Sequence, residues 1–156
     1  MRWETDENGL PVDYIGDAES TPVTEAMREL WRKYIEDAAP KNADLAWNYL
    51  GVYIYLDSGR VILFPVVSAS RHRVEKAMCQ ITCPDLLGSF NDMADSKTDD
   101  EFDAWHTQAM ERVASLASQA AREAKLPQRL GRPEVRILYF SYGGDEGALK
   151  EEVLKS

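Results

Sequence analysis

Apolar residues recur at helical spacing from Thr21 to Ala39, where Val23, Met27, Leu30, Trp31, Tyr34, Ile35 and Ala38 form one stripe. Pro22 sits in the first turn after a capping Thr21, and Pro40 marks the expected end. The other face carries Glu25, Arg28, Glu29, Arg32, Lys33 and Glu36 at spacings suited to i,i+4 pairing, which marks it as a solvated face.

From Tyr49 to Val67 the period changes to two. Leu50, Val52, Ile54 and Leu56 fall on one side of a strand, with Tyr53 and Tyr55 on the other. Asp57-Ser58-Gly59 turns the chain into Val61-Ile62-Leu63-Phe64-Pro65-Val66-Val67, an antiparallel hairpin with Gly59 in the left-handed position. Both faces are apolar or aromatic, so this hairpin is expected to be central and packed on helices on at least one side. Pro65 cannot donate a ladder hydrogen bond, so the second strand is expected either to end there or to leave an open edge.

Val74, Ala77, Met78 and Ile81 suit a short helix stopping before Pro84, and Leu86, Leu87 and Phe90 a loop or helical turn on the core. Thr98-Asp99-Asp100-Glu101 has the spacing of a capping box and opens the longest helix, to about Lys125, with Phe102, Trp105, Ala109, Val113, Leu116, Ala117, Ala120 and Ala124 on its stripe. Its alanines allow close approach to a neighbour. Val135 to Tyr142 reads as a third strand, Gly143 to Gly147 as its exit, and Ala148 to Leu154 as a short terminal helix. The first twenty residues are acidic and hold Asn8-Gly9, a turn dipeptide, with Pro11 weakening a second strand. The expectation is a single α+β domain over 1–156: a small antiparallel sheet with a central hairpin packed against two main amphipathic helices, and 1–20 a peripheral acidic segment.

Composition sharpens this. With 156 residues, 44% hydrophobic, the chain can bury one sizeable core and is too short to divide comfortably into two domains. The opening Met1-Arg2-Trp3-Glu4 lacks the apolar stretch of a secretory signal, and no run approaches a membrane span, so a soluble cytoplasmic protein is expected. The formal net charge is −9. A negative potential of that size disfavours nucleic acid and anionic membrane as partners and favours a basic protein.

Candidate chemistry is sparse, and no catalytic constellation is recognisable. Cys79 and Cys83, four apart, would share a helical face, and His72 and His106 are the only histidines to complete a zinc site; neither falls in an H-x3-5-H pair, and two buried thiols are the plainer reading. The acids Asp92, Asp95, Asp99, Asp100, Glu101 and Asp103 lack the glycine of an EF-hand loop, which leaves helix-start acids or a patch for a cationic partner. No metal and no cofactor is expected. Gly143-Gly144-Asp145-Glu146-Gly147 lacks the Lys-Ser/Thr ending of a phosphate loop. Arg71, His72 and Arg73, with Ser68 and Ser70, offer an anion site or a nucleophile and base without the nucleophile elbow or orienting acid of a hydrolase. Trp31 and Trp105 lie on helix stripes and belong to the core, whereas Trp47 in the loop leading into the hairpin, and Trp3 with Tyr14 in the acidic segment, are candidate contact residues.

The order of elements, carried by Tyr49-Leu50-Gly51-Val52-Tyr53-Ile54-Tyr55-Leu56-Asp57, by Glu101-Phe102 to Leu116, and by Ile137 to Tyr142 with Asp145-Glu146 following, resembles the immunity proteins of bacterial polymorphic toxins. The resemblance implies a non-enzymatic inhibitor that occludes a toxin's active site. Asp92, Asp95, Asp99, Asp100 and Asp103, with Trp3, Tyr14 and Trp47, are then the partner-binding candidates, the partner a basic toxin domain, and the protein itself a monomer or homodimer. Two other classes stay open: a small-molecule or anion-binding domain or enzyme using Arg71, His72 and Arg73 beside the Tyr53/Tyr55 face, and a structural or adaptor subunit that self-associates through the edge near Pro65 or the alanine-rich helix.

Overall fold

A computed structural model describes residues 21–67, 72–96, 98–141 and 147–156. The fold is α+β, with four helices and one six-stranded sheet among those residues. The hairpin is central. Strands β1 (Tyr49–Tyr55) and β2 (Arg60–Val67) pair antiparallel with Tyr55 opposite Arg60, and Gly59 turns the chain at φ +67°. β5 (Glu134–Ser141) lies on the other side of β1, and β6 (Lys150–Lys155) runs antiparallel to β5 at the outer edge. The β1–β5 pairing is parallel, so the sheet is mixed rather than wholly antiparallel. The long connection through the helices from the hairpin to β5 permits this, since parallel neighbours need a crossover.

Beyond β2 the edge is shared by two short strands, β3 (His72–Arg73) and β4 (Cys79–Thr82). Pro65 neither ends β2 nor leaves an open edge. It falls where the outer partner changes from β4 to β3, and its carbonyl accepts the Val74 N–H at 2.9 Å. Its missing N–H therefore costs no ladder bond, and an interface for self-association at this point loses its basis.

Three segments depart from the sequence expectation. The helix expected over Val74–Ile81 is instead a 3₁₀ turn (Glu75–Ala77) leading into β4. The free edge of β2 at Val61–Leu63 takes up Cys79–Ile81 as a strand, and Met78, placed on the apolar stripe by helical spacing, is exposed. The terminal helix expected over Ala148–Leu154 is β6, because pairing with β5 outweighs the helix preference of its Lys, Glu and Leu residues. Its charged side chains also discourage further strand addition at that edge.

The third departure lies at Pro40. Helix α1 (Thr21–Lys33) does not stop before the proline but widens into a π-turn (Tyr34–Ala38) and closes with one more α-turn, Ala39–Lys41. The Ala39 N–H reaches back to the Tyr34 carbonyl, five residues earlier. A proline ring in a regular helix would collide with the carbonyl four residues before it, and the wider turn relieves that contact. Helix α2 (Pro84–Ser96) seats Leu86 and Phe90 on the core, extending the loop or helical turn expected there into a full helix. Helix α3 (Asp99–Glu123) starts at the expected capping box, and α4 (Leu126–Leu130) follows a left-handed Lys125.

The sheet has two unlike faces. On one, Leu50, Val52, Ile54, Val61, Leu63, Val135, Ile137 and Tyr139 meet Trp31, Met27 and Leu30 of α1 and Trp105, Met110 and Val113 of α3 in the main core. Alanines 109, 114, 117, 120 and 121 let α1 approach α3 closely enough for the Trp31 indole to donate to the Ala117 carbonyl at 2.9 Å. The opposite face gathers Tyr49, Tyr53, Phe64, Val66 and Phe140 into a second cluster to which no described helix contributes.

Candidate functional site

Four of the acids singled out from the sequence gather where α2 ends and α3 begins. Thr98 and Glu101 are occupied in the capping box: the Glu101 N–H donates to Thr98 Oγ1 at 3.4 Å, and the Thr98 N–H to Glu101 Oε1 at 3.2 Å. Asp95, Asp99, Asp100 and Asp103 are exposed, and none forms an ion pair with another described residue. Elsewhere five of the described cations are compensated. Arg28 pairs with Glu25 and Glu123, Arg32 with Glu29 and Glu36, Lys41 with Asp37, Arg122 with Glu152, and Arg136 with Glu151. The positive end of the α3 dipole favours Asp99 and Asp100 at this position by about 0.3–1 kcal/mol each, so their presence is also accounted for locally. Asp92 lies within α2, but its side chain is outside the description, and Trp3 and Tyr14 lie outside the described residues.

Trp47 does not join the acids. Trp31 touches Ala117, Arg28 pairs with Glu123, and Ile35 shares a groove with Ala124 and Arg129, so α1 packs on the C-terminal half of α3. The capping box then stands at one end of the pair and the exit of α1 at the other, with about 36 Å of helix between Asp100 and Ala124. Trp47 belongs to the far end. It is half-buried against the edge of the core, and the Arg132 guanidinium lies 3.5 Å from the centre of its ring. Around it, Tyr34, Ile35, Pro40, Leu45, Arg129 and Arg132 help to line a cavity of about 240 Å³.

Irregular backbone builds that cavity. The π-turn at Tyr34–Ala38 and Pro40 form one wall, and Asn42 closes the helix end by donating its side-chain N–H to the Ala38 carbonyl at 2.8 Å. Lys125 at φ 52° and Gly131 at φ 68° bracket α4 and bring Arg129 and Arg132 to the opposite wall. A left-handed lysine costs roughly 1–2 kcal/mol, held in place by the packing around it. Burial pushes the Tyr34 hydroxyl well above its usual range, with the Arg132 charge opposing.

The alternative anion site fares differently. Arg71 lies outside the described residues, and the His72 side chain is not described. Arg73 sits over the Tyr53 ring at 4.3 Å and near Phe64 at 5.8 Å, while Tyr53 stacks on Phe140 at 4.9 Å and covers Gly51. The guanidinium thus caps the aromatic face made by Tyr53 and Phe64.

Cys79 lies on β4, not on a helix, and Cys83 follows in the turn to α2; both are buried. Burial pushes the Cys79 thiol up to about 11, so it stays protonated and unreactive at neutral pH. Among the described residues no three His, Cys, Asp or Glu side chains gather as metal ligands. His106 packs instead among Phe90, Phe102 and Trp105. Desolvation lowers its pKa, partly opposed by Asp57 and Asp103.

With a lower pKa folded than unfolded, the His106 imidazole binds its proton more readily in the unfolded chain. Its contribution is complete above the unfolded value near 6.5 and is lost as pH falls through the folded value. Urea midpoints at pH 7.5 and 5.5 are expected to fall for the parent, and to fall less for His106→Gln. Equal falls would remove His106 as the cause.

No described helix is long and apolar enough to cross a membrane. No family model, curated protein or solved structure matches this chain.

Proposed function

We propose that the protein is a non-enzymatic binding module, an immunity protein that neutralises a cognate basic toxin domain by occluding its active site. Asp95, Asp99, Asp100 and Asp103 at the α2–α3 corner, none of them in an ion pair with another described residue, support this reading in a chain of net charge −9. Exposed charge without an internal partner projects its field into solvent. Such a field speeds encounter with a cationic surface towards roughly 10⁸–10⁹ M⁻¹s⁻¹ at low salt, against about 10⁵–10⁶ without steering. The same carboxylates resemble the anionic substrate of a nuclease in sign, which allows them to compete for its site.

The test begins with co-purification from the native host at low and moderate salt and mass spectrometry of the retained protein. Stopped-flow association with that purified partner follows, for the parent and for a variant carrying Asp→Asn at 95, 99, 100 and 103. Asparagine preserves the local shape and leaves the Thr98–Glu101 cap untouched. The variant is expected to associate about tenfold more slowly at low salt, with a flatter salt dependence and little change in dissociation. An acidic partner without toxic activity would overturn the function, and an unchanged on-rate would remove this corner from the interface.

A further inference from the structure

The cavity beside Trp47 has a charge character opposite to that of the molecule. The chain carries a net charge of −9, yet the cavity lining contains two arginines, Arg129 and Arg132, and no carboxylate. Neither arginine is in an ion pair with a described residue, in contrast to the arginines of α1. Arg132 is held by its stack on Trp47, which leaves the edge of its guanidinium as a fixed fork of donors. Arg129, one turn of chain earlier and exposed, contributes a second fork to the same opening.

Beside Asn42 and Tyr34, the remaining lining offers an apolar surface made by Ile35, Leu45 and Leu130 with the Trp47 ring. A bare inorganic anion would leave that surface in water. At about 240 Å³ the space is below the roughly 300–1,000 Å³ of sites for drug-sized molecules. It suits a single ring bearing one acidic group. The π-turn and the two left-handed residues that shape the walls place this site on three irregular stretches of backbone at once, where binding sites concentrate.

We infer that this cavity binds a small planar organic anion, an aromatic ring carrying a carboxylate or phosphate, with the ring on the apolar wall and the anionic group bridging Arg129 and Arg132. The site is separate from the acidic corner and stands independently of the partner proposed there.

Nitrogen-15 NMR of the full chain, titrated with benzoate, phenyl phosphate, inorganic phosphate and benzyl alcohol, tests it. Benzoate or phenyl phosphate is expected to shift the Trp47 indole and the Arg132 side-chain N–H signals saturably, with a dissociation constant of about 1 mM or below. Inorganic phosphate and neutral benzyl alcohol are expected to bind at least about tenfold more weakly, because each offers only half of the recognition. Arg129→Gln, an exposed change that leaves the Trp47 stack in place, is expected to weaken the ring-bearing anions about tenfold. Arg136→Gln, whose guanidinium pairs with Glu151 on the sheet, is expected to bind them like the parent. No saturable shift at Trp47 up to about 10 mM of either anion, or undiminished binding by Arg129→Gln, would overturn the site. Inorganic phosphate binding as well as phenyl phosphate would overturn the planar ligand.

Discussion

Replacing Trp31 with alanine is expected to lower the stability of the folded chain by about 4–6 kcal/mol. Removing a large aromatic from a packed core typically costs about 3–5 kcal/mol through lost transfer energy and the residual cavity. Trp31 is 0% exposed, and it lies where α1, α3 and the sheet converge. The bond from its indole N–H to the Ala117 carbonyl adds about 1 kcal/mol. Small domains are stable by about 5–15 kcal/mol, so the variant is expected to be partly unfolded at room temperature or close to it. Trp31→Phe keeps most of the ring volume and loses the donor; about 1–3 kcal/mol is expected. Urea titrations of the three proteins decide the matter, with midpoints falling in that order and slopes nearly constant. A loss below about 1 kcal/mol for the alanine variant would mean that the α1–α3 contact is not what holds the helical layer on the sheet.

The two long helices and the hairpin were legible because each carries its own signal over many residues. Seven apolar positions through α1 and its π-turn, the Thr98–Glu101 cap of α3 and the alternation through Tyr49–Tyr55 require no knowledge of what they pack against. β4 and β6 had no such independence. Val74, Ala77, Met78 and Ile81 satisfy helical spacing, but the unfilled edge of β2 determines what Cys79–Thr82 becomes. Lys150–Lys155 favours a helix on local preference alone, and the edge of β5 makes it a strand. The π-turn was hidden for a related reason: Pro40 was visible, but a helix can meet a proline by stopping or by widening, and packing decides which.

The candidate sites divide along the same line. Acids close together in sequence, Asp95 to Asp103, were readable as a cluster, because a corner between consecutive helices keeps them together. The Trp47 cavity was not, since Trp47 and Arg132 meet only after β1, the helices and α4 are in place. The sequence signal was a tryptophan in the loop leading into the hairpin, which marked the residue without naming its partner. Arg73 shows the converse. Beside Arg71 and His72 it read as a basic run with a common purpose, yet strand alternation sends its guanidinium onto Tyr53.

Gly59 and Gly131 form a pair in which one glycine carries a steric constraint that the other lacks. Both are left-handed, at φ +67° and +68°, so alanine at either place carries the same backbone cost of roughly 1–2 kcal/mol. A Cβ at Gly131 would meet nothing within 4 Å, whereas at Gly59 it would lie 2.7 Å from the Cys83 carbonyl oxygen and 3.1 Å from Leu87 Cβ. That carbonyl accepts the Leu86 N–H at 3.1 Å and opens α2, while the Cys83 N–H donates to the Gly59 carbonyl at 2.7 Å. Neither neighbour can withdraw without disturbing the joint between hairpin and helix. Gly131→Ala is therefore expected to cost about 1–2 kcal/mol, and Gly59→Ala about 3–4 kcal/mol once the forced shift is added. Hydrogen exchange locates the difference: amides of α2 are expected to lose protection in Gly59→Ala and to keep it in Gly131→Ala. Equal losses within about 0.5 kcal/mol would show that the hairpin turn and α2 are not in contact, and the seating of Leu86 in the core would need another cause.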